Sequence, residues 1–170
     1  VDYKKYNEKL IETKSISKNR HVWWKLRPHL DFKTLEFRVC DAQRSLENVR
    51  ILSSLCRALA YKSFIEYKKG NLFENLSVDF LNDCLWKASR FGFDSLVYDE
   101  VSDRVLTIRE SIILMYDYCY DALVVFGDED IKKGMELILD NGTECDDQIN
   151  VFNKHGFEGL KLFLINNVEF

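Results

Sequence analysis

Closely spaced cysteine pairs are missing from this chain. Cys40, Cys56, Cys84, Cys119 and Cys145 lie far apart and form no CxxC, which excludes a zinc ribbon and a thioredoxin-type redox motif. Most of them sit inside apolar patterns and read as small core residues. No apolar run approaches the roughly 18 residues of a membrane-spanning helix. The opening Val1-Asp-Tyr-Lys-Lys lacks the apolar core of a secretory signal, so the expectation is a soluble, cytoplasmic protein. An excess of basic charge is also absent. The formal net charge is −4 with both signs interspersed, which gives no electrostatic footprint for nucleic acid or an anionic membrane. Pro28 is the only proline, so there is no proline-rich linker. Methionine occurs only at 115 and 135, and the first residue is Val1. The chain therefore reads as a piece of something longer.

What is present is apolar and aromatic. Hydrophobic residues make up 46 % and aromatics 14 % of the 170 residues, enough for one domain, 1–170, with a real core. Tyr3, Tyr6, Leu10 and Ile11 predict a short amphipathic helix over about 2–14, followed by a turn at 15–19. Residues 21–29 and 34–41 are aromatic-rich or alternate cleanly, with Pro28 near a strand end. They predict an antiparallel hairpin over about 21–41. Helical spacing then takes over through 45–167. Helices are expected at 45–69, 78–91 and from Ile108 to Phe126, with shorter ones at 129–139, 144–154 and 157–166. Leu96-Val-Tyr98 reads as a short strand. The fold class is α+β, with antiparallel strands packed with several helices. A lone hairpin is barely stable, so further strands are expected from a missing N-terminal half or from another copy.

The hairpin carries the chemistry-bearing residues. Side chains two apart on a strand share a face. Leu35, Phe37 and Val39 should point into the core, and Thr34, Glu36 and Arg38 away from it. Trp23, Lys25, Arg27 and His29 share a face of the preceding strand. If the two polar faces coincide, Arg27, His29, Glu36 and Arg38 converge. A carboxylate beside fixed guanidinium groups suits a metal–phosphate site, with hard oxygen for Mg²⁺ and planar forks for phosphate. The same alternation also describes a solvated sheet face with cross-strand ion pairs.

Trp23-Trp24-Lys-Leu-Arg27-Pro28-His29, followed by Thr34-Leu35-Glu36-Phe-Arg38-Val-Cys40-Asp41, resembles the WWDxRP(H/S)…TxExRxCD signature of the type 2 glutamate–cysteine ligases, a family of carboxylate–amine ligases. Trp86-Lys-Ala88-Ser-Arg90-Phe-Gly92-Phe-Asp94 is similar to its WxAxRxGxD segment. Gly127-Asp128 and the stretch from Asn141-Gly142-Thr143 to Gln148 are similar to its later motifs, in the same order. The resemblance implies the C-terminal half of a glutamine-synthetase-like catalytic domain. It implies ATP and Mg²⁺ as cofactors, with glutamate and cysteine or another amine as small-molecule substrates. By that resemblance Glu36 is a Mg²⁺ ligand, Arg38 lies against the transferring phosphate, and Arg27, with His29 beside it, holds phosphate or a substrate carboxylate. Phosphoryl transfer needs mainly positioning and charge neutralisation, which these residue types supply.

Two departures stand out. Lys25 occupies the position where the family usually has Asp, and Cys145 replaces a glycine-like position. One carboxylate cannot hold the metals of a ligase, so the chain alone is expected to be inactive. The rival expectation is a non-catalytic binding or assembly module that keeps the ligase fold. Thr143 is expected to cap a helix together with Asp146, and Arg90 to stabilise a helix C-terminus.

Overall fold

The computed structural model describes residues 2–71 and 76–168. It forms two compact units, 1–42 and 43–170. Among the described residues, helices dominate and two small antiparallel hairpins supply the strands, so the chain is α+β as its patterning indicates.

The first unit opens with α1 (Tyr3–Glu12), whose N-terminus is capped by the Asp2 carboxylate accepting from the Lys4 and Lys5 N–H groups at 3.0 and 3.3 Å. A short 3-10 turn, Asn19–His21, precedes β1 (Leu26–His29) and β2 (Thr34–Phe37). The strands are shorter than the alternation suggests, because pairing stops soon after Leu26↔Phe37. One further bond, Arg38 N–H to the Lys25 carbonyl at 2.8 Å, extends the ladder by a step. Trp24 packs against Tyr3 and Tyr6 with ring centroids 5.0 and 5.3 Å away, which ties α1 to the segment leading into β1. Trp23 is 74 % exposed. The expectation that Leu35 and Val39 point into a core is corrected. Leu35 is 50 % and Val39 52 % exposed, since a two-stranded hairpin leaves one face without cover.

The second unit is built on α2 (Leu46–Lys69), α4 (Ile108–Phe126) and α5 (Ile131–Asn141). Ile51, Leu55 and Ala58 from α2 meet Cys119 and Leu123 from α4 and Ile131 from α5 in one buried cluster. Gly134 lets α5 come close to α2; a Cβ there would stand 2.6 Å from the Ile51 Cδ1 atom. α3 (Val78–Phe91) lies on a second hairpin, β3 (Leu96–Asp99) and β4 (Arg104–Thr107), with Phe80 edge-on to Tyr98 at 5.0 Å. β4 is an addition to the sequence reading. Its four residues merge into the helix that follows, because Thr107 is both the strand end and the α4 cap in a capping box with Glu110. α6 runs from Glu144 to Asn166 and is broken at Gly156, where φ is 64°. The two short helices expected at 144–154 and 157–166 are the arms of this kinked one. Thr143 and Asp146 form the expected capping box at its start. Of the cysteines only Cys119 is buried, and burial pushes its thiol up to about 11.

Ion pairs lace this unit together. Lys62 reaches Asp121 at 2.6 Å, and Arg57 pairs with Asp128. Lys62 holds the Asp121 carboxyl, and Arg57 the Asp128 carboxyl, below the usual carboxylate range. A carboxyl with a lowered folded-state pKa adds stability that is present above its unfolded value, near 4, and is lost as pH falls through the folded value. The melting temperature is therefore expected to be flat between about pH 7 and 5 and to fall below about pH 4. The acid fall should be shallower in Asp128→Asn; a pH series of thermal melts checks both.

Candidate active site

The hairpin register is what builds the site. Arg27 stands opposite Glu36, and His29 opposite Thr34. The two polar faces therefore coincide. Glu36 sits between two guanidinium groups. One carboxylate oxygen pairs with the Arg27 Nη2, and the other accepts from the Arg38 Nη1 at 2.7 Å. The two arginines differ in freedom. Arg27 is 12 % exposed, and its Nη1 donates to the Arg20 carbonyl at 2.8 Å, while its Nε is buried without a hydrogen-bond partner. Arg38 is 32 % exposed and lies 5.6 Å from the centre of the Trp23 ring. Arg27 is thus a fixed clamp, and Arg38 the accessible fork.

His29 is turned to local use. Its Nδ1 accepts from the Phe32 N–H at 3.2 Å, and its ring packs on Phe32 at 4.5 Å. These contacts support the tight turn, in which Lys33 takes a positive φ of 52°. His29 still lines a cleft of about 580 Å³ within the first unit. Arg27 lines it too, together with Lys18 and Arg20, and Asp31 is the one acid on its wall. The sequence reading did not single out Lys18 or Arg20. The only available signal was two basic residues in a turn just before the hairpin.

Just beyond the paired residues, the Lys25 backbone lies beside that of Arg38. Arg27, Arg38 and the neighbouring Lys25 outnumber the one carboxylate, Glu36, so this end of the hairpin is formally positive. Like charges on adjacent strands cost stability, unless an anion lies between them. A surface of this kind suits phosphate or carboxylate oxygens. It fits a metal ion poorly. The one carboxylate has both oxygens in ion pairs, and no cluster of three His, Cys, Asp or Glu able to hold a metal occurs among the described residues. Among those residues, too, no helix is long and apolar enough to cross a membrane.

The sequence profile of glutamate–cysteine ligase family 2 matches residues 1–162. Three similar relatives are each provisionally named glutamate–cysteine ligase 2. The protein from Solibacter usitatus is 28 % identical over 91 % of this chain and 40 % of its own length. That from Chloroflexus aggregans is 28 % identical over 89 % of this chain and 39 % of its own. The Gloeobacter violaceus protein is 35 % identical over 61 % of this chain and 28 % of its own. The chain thus spans about 40 % of the length of the first two. No solved structure matches it. With a match that runs over nearly the whole sequence and contains every residue of the basic hairpin face, the chain belongs to glutamate–cysteine ligase family 2.

Proposed function

We propose that this chain supplies the anion-holding part of an ATP-dependent carboxylate–amine ligase. In that reaction the γ-carboxylate of glutamate is phosphorylated and the amine of cysteine, or another amine, displaces phosphate. The observation that carries this reading is the pair Arg27 and Arg38 fixed on either side of Glu36 on one hairpin face. A transferring phosphoryl group spreads its charge over equatorial oxygens, and preorganised guanidinium groups neutralise that charge without reorganising. Arg38, the more exposed, meets the phosphate. Arg27 holds Glu36 and the Asn19–His21 turn in place, and with His29 forms the wall of the cleft.

Glu36, in this reading, is the counter-charge that sets both guanidinium groups. For it to serve as a Mg²⁺ ligand it would have to release at least one arginine. The remaining oxygens would have to come from ATP and from residues beyond those described, since Mg²⁺ takes near-octahedral oxygen coordination. A missing part of the ligase, or another copy of the chain, is the source of those groups and of the strands that complete the sheet.

The 170-residue chain alone is expected to show no ATP-dependent γ-glutamyl transfer, measured as ADP and γ-glutamyl product from glutamate and cysteine. Turnover by the chain on its own would sink the half-site reading. The second reading, a binding or assembly module, is favoured by Lys25 standing where the family usually has Asp. It predicts that Mg²⁺–ATP leaves the melting temperature of the complete protein unchanged. The ligase reading predicts a rise, and Glu36→Gln is expected to lose the part of it that Mg²⁺ adds over ATP alone.

A further inference from the structure

In the second unit, a pocket of about 220 Å³ opens between α2, α4 and α5, and no residue of the hairpin face lines it. Both methionines of the chain, Met115 and Met135, lie on its wall, with the Phe93 ring and Ile138 beside them. The lining is predominantly apolar. Apolar side chains exposed in a concave pocket gain free energy when an apolar guest covers them. Thioether side chains are flexible and polarizable, and they adapt to irregular apolar guests. The rim is polar but not free to recognise charge. Glu144 there is paired with Arg44, and the Gln43 and Asn48 amides meet each other at 3.5 Å.

We propose that this cavity binds a neutral, largely apolar small molecule of about the size of indole, with at most one hydrogen-bonding group, which would meet the amides at the rim. The walls carry no unpaired charge to welcome an ion, and concave, mostly apolar pockets with a few polar groups at the rim suit small neutral ligands. The inference is independent of the ligase reading, because it uses none of the hairpin residues.

The test uses indole as the probe and the two methionine methyl groups as reporters. With ¹³C-methyl methionine, the chain gives one signal each from Met115 and Met135. Indole is expected to shift both in a saturable manner. Ile138→Trp, which fills the cavity, should remove the shift while far-UV circular dichroism stays that of the parent. If Ile138→Trp does not fold, Leu52→Phe, on the facing wall, serves the same purpose. Absence of any shift, a shift that grows linearly without saturating, or one that persists in a folded, filled variant would each overturn the proposal. So would a complete ligase in which another segment occupies the space and neither methyl responds.

Discussion

Arg38→Ala is expected to weaken ATP binding about 10- to 100-fold, the range set by losing one charge-assisted contact to phosphate. Arg38 is the exposed guanidinium of the pair, and only its Nη1 is engaged with Glu36. Truncating it removes a donor from the ligand without leaving a buried charge behind. The fold should therefore survive, and the change should appear in affinity alone. Arg38→Lys should recover only part of the loss, because an ammonium group is a point charge and cannot present a planar fork. It also loses part of the stacking on Trp23. Calorimetric titration of the wild type and both variants checks the ordering, and equal affinities would remove Arg38 from the site.

Glu36→Gln is the second large effect, and it falls on stability first. Arg27 is mostly buried and loses its counter-charge, while its Nε already lacks a partner. Leaving a buried cation uncompensated costs about 1–3 kcal/mol or more. A unit of 42 residues has little reserve to absorb this. The loss should be read by urea denaturation followed through tryptophan emission, since Trp23 and Trp24 both lie in that unit. Binding then separates the roles of Glu36. The hairpin face becomes more positive, so ATP without a divalent ion should bind no more weakly than to the wild type. The extra affinity that Mg²⁺ brings should vanish if Glu36 is a ligand to it. A variant with unchanged stability would mean that Arg27 does not depend on Glu36.

The site was legible because strands alternate. Thr34, Glu36 and Arg38 announce one face whatever the tertiary structure, and a single register brings Arg27 to Glu36. What the alternation could not supply was the state of each charge. That Arg27 is locked by the Arg20 carbonyl, and that His29 serves the turn through Phe32, depend on contacts between segments and not on period. The exposure of Leu35 and Val39 has a related cause. Alternation says that a face is apolar, and only a covering layer makes it a core. Helices were easier to place. Ser45, Ser77 and Thr143 accept from backbone N–H groups at helix starts, and Gly70 and Gly127 end helices in left-handed conformations, so both kinds of boundary carry their own signals. β4 was hidden because four residues of alternation cannot compete with the strong helical spacing from Ile108 onward.

Titrating ATP into the chain and following Trp23 emission tests the central claim most directly. Trp23 is largely exposed and stacks on the guanidinium proposed to meet phosphate. A saturable change in emission is predicted for the wild type, reversed by excess inorganic phosphate, absent in Trp23→Phe and moved to about 10- to 100-fold higher ATP in Arg38→Ala. A wild-type chain whose emission ignores ATP, or a response at unchanged ATP concentration without Arg38, would contradict the assignment of this hairpin face to phosphate.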